Sequence, residues 1–158
     1  QATVNVAASP WPEIDVEQAD ATCYQSTQAF DLIISNPPYF ENALKAQDKK
    51  RNFARHSDSL ALADLIALWQ RVGAENSELA VILPTAQGQK LTELAQQAGA
   101  HLTRLCEVKT TPKKPVSRWL MQFSWQKAEC TKQQLMIHTD DDYSLQYKRL
   151  CEAFYLRF

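Results

Sequence analysis

Phe30-Asp31-Leu32-Ile33-Ile34-Ser35-Asn36-Pro37-Pro38-Tyr39 is the stretch whose reading decides the fold. Its first six residues are nearly continuous in apolar side chains, as a strand buried on both faces of a parallel sheet should be. The two prolines then stop it, because neither has a backbone N–H to give to a ladder. Downstream, a broad apolar face built from Leu60, Ala63, Leu65, Ile66, Leu68 and Trp69 predicts a helix from Ser59 or Leu60 to Val72, with Gly73 as its stop. Glu78 to Leu83 is a second buried strand, Gln87 to Ala98 a helix closed by Gly99, and His101 to Val108 a third strand. Thr110 to Pro115 is a loop by composition; Arg118 to Trp125 and Gln134 to His138 read as a closing antiparallel pair, and Tyr143 to Leu156 as a last helix. Upstream, residues 1–8 read as the tail of a helix halted by Ser9-Pro10-Trp11-Pro12, and Glu13 to Glu17 alternates as a short strand. Strands alternating with helices indicate an α/β layered domain with a mainly parallel sheet.

The 158 residues suffice for one domain. With 45% hydrophobic and 22% charged residues the composition is that of a folded chain, not a disordered one. No apolar run has the length of a membrane span and no leader-like segment opens the chain, so a cytoplasmic protein is expected. Cys23, Cys106, Cys130 and Cys151 are widely spaced, with no C-x-x-C pair and no His at ligand spacing. They read as reduced thiols mostly in the core, and no metal is expected. The net charge of -1 hides an asymmetry. Residues 1–44 hold six acids and no Lys or Arg, whereas residues 45–118 hold twelve bases against seven acids.

Asn36-Pro37-Pro38-Tyr39 carries the chemistry. In open α/β sheets, ligands lie beyond the carboxyl ends of strands, which is where this tetrapeptide falls. An exocyclic amine on a purine is a weak nucleophile, since its lone pair is delocalised into the ring. Methylating it calls for two fixed acceptors for its N–H bonds. The Asn36 side chain and the Pro37 carbonyl can supply both, and Tyr39 offers a flat face for an extruded base.

Phe-Asp-Leu-Ile-Ile-Ser-Asn-Pro-Pro-Tyr resembles the fourth motif of the Rossmann-like, class I amino-methyltransferases. Among these the chain is most similar to the bacterial tRNA1(Val) adenine-37 N6-methyltransferase family. Ser9-Pro10-Trp11, Ala19-Asp20, Ala54-Arg55-His56, Tyr143-Ser144 and Ala153-Phe154-Tyr155-Leu156 extend the resemblance to both ends. It implies S-adenosyl-L-methionine as methyl donor and tRNA as substrate. It also implies that Asp20 accepts from the donor's adenine amine, with the Ala21 backbone alongside, and Asn36 is counted with them as a cofactor-binding residue. By the same resemblance Arg55 and Arg118 lie on the substrate side; Pro38 and Phe40, which flank Tyr39, are read as substrate-binding neighbours of the base pocket. The family's Gly-rich cofactor turn has no counterpart, because the only glycines are Gly73, Gly88 and Gly99. The chain therefore reads as the C-terminal part of a longer enzyme. It is expected to bind cofactor weakly on its own and to leave a sheet edge open to another chain or to strand exchange.

Lys45, Lys49, Lys50, Arg51 and Arg55 follow the motif, and Lys109, Lys113, Lys114 and Arg118 surround the later loop; both sets suit phosphate contact, and both suit ordinary solvated surface. Trp69, Trp119, Phe123, Trp125 and Phe154 read as core. Two other functions fit the tetrapeptide: methylation of a release-factor glutamine amide, which presents the same two donors, and non-catalytic RNA binding.

Overall fold

The computed structural model describes residues 1–37, 62–139 and 142–155. Helix α1 (Ala2–Ala7) ends as the sequence dictates, with Ser9 Oγ donating to the Val6 carbonyl at 2.8 Å and accepting from the Trp11 N–H at 3.1 Å. The strand expected at Glu13 to Glu17 is not formed. That segment is coil with Ile14 and Val16 exposed, since an alternating run without a neighbouring strand has no ladder to join.

Five strands make the main sheet: β1 (Phe30–Ser35), β2 (Gly73–Pro84), β3 (His101–Lys109), β4 (Val116–Ser124) and β5 (Thr131–Met136), in the order β1-β2-β4-β3-β5. β1 pairs parallel with β2, and β3 parallel with β5, while β4 runs antiparallel between β2 and β3. Four of the five strands thus point one way. A separate antiparallel pair, β6 (His138–Thr139) with β7 (Asp142–Tyr143), follows β5. The strands read at 118–125 and 134–138 are not partners of each other. β4 inserts its apolar side chains between β2 and β3, and the more polar β5 takes the outer position on β3, where Lys132, Gln133 and Gln134 meet water.

Helix α2 (described over residues 62–72) and helix α3 (Thr85–Gln97) both pack on one face of this sheet. Alternate residues of the inner strands, Leu79, Val81 and Leu83 of β2 and Met121 and Phe123 of β4, meet Leu62, Ile66 and Trp69 of α2 and Leu91 and Ala95 of α3. Each of the Leu, Val, Ile, Met and Phe side chains among these contributes about 1.5–3 kcal/mol by burial. Trp69 is fully buried, stacks on Trp125 with ring centroids 4.0 Å apart, and donates its Nε1–H to Ser77 Oγ at 2.9 Å. α3 closes as its sequence predicts. Gly99 adopts φ +88°, with its N–H on the Gln96 carbonyl and the Ala100 N–H on the Ala95 carbonyl at 2.8 Å.

Three expectations about burial are corrected. β1 is not covered on both faces: Ile34 is 75% exposed and Leu32 is exposed too, because among the described residues β1 is an edge strand and no helix lies over that face. Trp69 and Phe123 are core, and Trp119 and Trp125 are half-buried against it, but Phe154 is 86% exposed. The last helix, α4 (Leu145–Cys151), is shorter than expected and Phe154 lies beyond its end. None of the four cysteines is fully buried; all are free thiols, Cys23 exposed and the others half-buried.

Candidate active site at the carboxyl edge of the sheet

Parallel register carries Asn36 to its place. Ser35 pairs with Val81, so Asn36 extends β1 to the level of Ile82, which lies opposite Leu120, and Leu120 opposite Cys106. Strand alternation puts Asn36 on the same side as Ile34, the side away from α2 and α3. Asn36 is exposed and Pro37 half-buried. Ile34, Asn36, Ile82, Leu120, Cys106 and Gln133 line one groove of about 740 Å³ on this face, closed on its far side by Gln146, Arg149 and Leu150 of α4. The groove is apolar in its floor and carries Arg104, whose Nη1 donates to Gln122 Oε1 at 3.2 Å. Burial pushes the Cys106 thiol above its ordinary range, against the nearby Arg104 charge, so at neutral pH it is a small apolar lining group and not a nucleophile.

The carboxyl edge gathers several expected residues. Pro84 of β2 pairs with Arg118 of β4, two strand spacings or about 10 Å across the sheet from β1. Arg118 is half-buried and donates from Nη1 to the Ser117 carbonyl at 3.0 Å. Lys113 and Lys114 are exposed in the turn between β3 and β4, which is closed by the Lys114 N–H on the Thr111 carbonyl at 3.1 Å and by Lys109 Nζ on the Pro112 carbonyl at 3.0 Å. Asn36, Pro37, Arg118 and this basic turn therefore share one edge. Pro38, Tyr39, Phe40 and Arg55 lie outside the described residues, as do Lys45, Lys49, Lys50 and Arg51.

Asp20 and Ala21 sit elsewhere. Asp20 Oδ1 accepts from Thr22 twice, from its hydroxyl at 2.7 Å and its backbone N–H at 2.9 Å, and these two bonds hold the carboxyl below its ordinary value. The carbonyls of Ala21 and Tyr24 accept from Arg71, at 2.9 and 2.6 Å. Arg71 is on the last turn of α2, which runs directly into Gly73, and Gly73 lies opposite Phe30 at the amino end of β1. Asn36 is at the other end of that strand, about 20 Å further on. The structure does not bring Asp20 and Ala21 into one site with Asn36.

Reading the sequence missed the groove lining. Arg104 and Gln122 are polar residues on the groove face of β3 and β4, and that alternation was the available signal, whereas Gln133 belongs to the largely polar β5, which offers none. The sequence also concealed an aromatic column, in which His138 stacks on Tyr143 (4.5 Å) and Tyr143 on Tyr147 (5.3 Å). Among the described residues no group of three or more His, Cys, Asp or Glu side chains is placed to hold a metal ion.

Comparison with known proteins places these features in context. No family model matches the chain. It is 44% identical over 158 residues to the tRNA1(Val) (adenine(37)-N6)-methyltransferase of Pseudoalteromonas translucida, covering 99% of this chain and 68% of that protein. It is 37% identical over 154 residues to the protein of that name from Vibrio vulnificus, covering 97% and 64%, and 34% identical over 158 residues to that from Bacteroides thetaiotaomicron, covering 99% and 67%. The chain thus spans about two thirds of the length of these curated relatives. In structure it is similar to a predicted O-methyltransferase from Agrobacterium tumefaciens, with a TM-score of 0.66 at 15% identity over 94% of this chain and 70% of that one. The fold is that of the class I methyltransferases.

Proposed function

Because the chain belongs to the tRNA1(Val) (adenine(37)-N6)-methyltransferase family, we propose that it forms the base-binding part of an enzyme that methylates N6 of adenine-37 in tRNA1(Val). The observation that carries this reading is the placement of Asn36-Pro37 at the carboxyl end of β1, on the same edge as Arg118 and the Lys113-Lys114 turn. S-adenosyl-L-methionine supplies the methyl group, on a sulfonium sulfur. Asn36 Oδ1 and the Pro37 carbonyl accept the two N–H bonds of the adenine amine and turn its lone pair toward that carbon. With the donor bound, the new N–C bond would form as the methyl C–S bond breaks and S-adenosyl-L-homocysteine leaves as a neutral thioether; the positive charge passes to the nitrogen, where the same two carbonyl dipoles stabilise it without a strong general base. The extra proton then leaves along one of these hydrogen bonds to water. Tyr39, with Pro38 and Phe40, supplies the stacking face that replaces neighbouring bases. Arg55, Lys113, Lys114 and Arg118 meet phosphates.

The donor set fits the cofactor in part. In this reading Asn36 adjoins the cofactor, and the Asp20 carboxylate has a second oxygen beyond the one Thr22 engages, suited to an adenine amine. Joining the two requires the segment around Asp20 to lie along the free edge of β1 toward its carboxyl end. Among the described residues no helix is long and apolar enough to cross a membrane, and free cysteines suit a reducing compartment, so we place the protein in the cytoplasm.

The test uses full-length protein and tRNA1(Val), read by nucleoside mass spectrometry. Asn36→Ala is expected to lower kcat by about 10²–10³-fold, the usual loss when one preorganised dipole is removed, while tRNA affinity is kept. Retention of more than a tenth of wild-type kcat would refute the role of Asn36. Unmodified tRNA together with a methylated release-factor glutamine would replace the substrate.

A further inference from the structure

Beyond the residues assigned above, the structure carries an aromatic column that the proposed chemistry does not use. His138, Tyr143 and Tyr147 stack nearly parallel, with interplanar angles of 27° and 18°. His138 ends the column and is half-buried. Its position is fixed by backbone alone: its N–H donates to the Thr110 carbonyl at 2.9 Å, one residue along from the Ile137 N–H on the Lys109 carbonyl. The column therefore stands directly beside the Lys109 to Lys114 turn. From below it is held by Ser144, which caps α4 by accepting from the Tyr147 N–H at 3.0 Å and donates its hydroxyl to the Met136 carbonyl.

Topology relates this column to Asn36. β5 leads into His138 at the same carboxyl edge at which β1 ends in Asn36, four strand spacings or about 19 Å away. The basic turn and Arg118 lie between the two. Positive side chains interleaved with stacked rings along one edge are what single-stranded RNA binds, phosphates on the cations and base faces on the rings. Charge decides which part of the RNA meets the rings. At the column Asp142 pairs with Lys148 Nζ at 2.5 Å, which takes up that ammonium. The exposed cations beside the column are then Lys113 and Lys114, so the backbone runs along their side and a base, uncharged, meets His138.

We propose that His138, backed by Tyr143 and Tyr147, is a stacking platform for an unpaired base of the tRNA that flanks the methylated adenine. This rests on the tRNA-methyltransferase reading and adds a second anchor to it. The full-length enzyme is assayed with tRNA1(Val) as His138→Ala, His138→Phe, Lys113→Ala with Lys114→Ala, and Lys90→Ala as a control on the exposed side of α3. His138→Ala is expected to raise KM by about 5- to 150-fold, the range for removal of one base–aromatic stack, with kcat kept. His138→Phe, which keeps a ring, restores KM to near wild type. The slope of log KM against log salt is unchanged in His138→Ala, whereas the double lysine variant makes it shallower by roughly 0.7 for each phosphate no longer neutralised. A KM for His138→Ala equal to that of Lys90→Ala overturns the proposal. So does a His138→Phe enzyme as impaired as His138→Ala, since the ring would then not be what binds. A wild-type enzyme inactive on tRNA would instead overturn the substrate reading itself.

Discussion

Gly88→Ala is expected to destabilise the protein, although alanine is the better helix former. Gly88 is buried in the first turns of α3 and faces β4. A Cβ placed there would lie 2.8 Å from Cε3 of Trp119 and 3.1 Å from Sδ of Met121. The methionine can yield because it is unbranched and flexible. The indole cannot, because it is a rigid ring packed against the core. Replacing helical glycine by alanine gains about 1 kcal/mol, and overpacking a well-filled interior costs about 1–3 kcal/mol. The overlap with an aromatic carbon sets the cost toward the upper part of that range. The net loss is about 1–2 kcal/mol, read as a Tm lower by about 2–8 °C for a chain of this size. Chemical denaturation in the background of Trp119→Leu supplies the second leg of a double-mutant cycle. With the ring gone the clash disappears and Gly88→Ala should stabilise, giving a coupling of about 2–3 kcal/mol. A Gly88→Ala protein more stable than wild type in the native background, or a coupling near zero, would refute the reasoning.

Three further outcomes follow from named interactions. Asp142 is held below the ordinary carboxyl value of 3.8, first by the Lys148 hydrogen bond and then by the Tyr143 N–H; its folded-state pKa is depressed, so its contribution is present above 3.8 and is lost as pH falls through the lower folded value. NMR amide shifts of Tyr143 and Lys148 should therefore titrate together below pH 3.8 and stay flat in Asp142→Asn. Arg71→Met removes both donors from the Ala21 and Tyr24 carbonyls, and chymotryptic cleavage after Tyr24 should accelerate with little change in global stability; an unchanged cleavage rate would mean that something else anchors the segment. The edge of β1, unpaired among the described residues and with Leu32 and Ile34 exposed, should draw this chain into self-association at high concentration, and Ile34→Lys should return it to monomer in sedimentation velocity; a wild-type chain monomeric throughout would show the edge to be inert.

What could be read from the sequence was what local chemistry controls. Ser9 and Pro10 end α1, Gly99 ends α3, and Pro37 ends β1, each for a reason contained in one or two residues. The place of Asn36 was legible for the same reason, since the strand that Pro37 stops must leave it at the carboxyl end of β1. Partner choice was not legible. Apolar alternation in Val116 to Ser124 says that a strand is half-buried but not between which neighbours, and β4 enters between β2 and β3 by filling a gap that only the folded sheet defines. The exposure of Ile34 is of the same kind, because burial of a β1 face depends on what lies beside it. The aromatic column escaped because its rings come from two-residue strands and the first turn of a short helix, too brief for any period to appear.

The two ends of the carboxyl edge are anchored independently, and in the proposed enzyme this would separate chemistry from recognition. Asn36 is placed by the parallel ladder of β1 on β2, from Leu32 opposite Glu78 to Ser35 opposite Val81. Arg118 and the basic turn are placed by β4 on β3, and His138 by its bond to Thr110 at the outer strand. A shift of β4 or of Trp119 moves Arg118 and the turn as a unit, but reaches Asn36 only through β2, whose Leu79, Val81 and Leu83 are locked in the core. Packed interiors resist such graded displacement. Substitutions on the β4, β3 and β5 side should therefore act on KM for tRNA, and substitutions in β1 or its ladder on kcat. Gly88→Ala is informative here as well, because the side chain it displaces, Trp119, is the neighbour of Arg118. At temperatures where it remains folded it should weaken tRNA binding while the rate of methyl transfer from bound tRNA is kept.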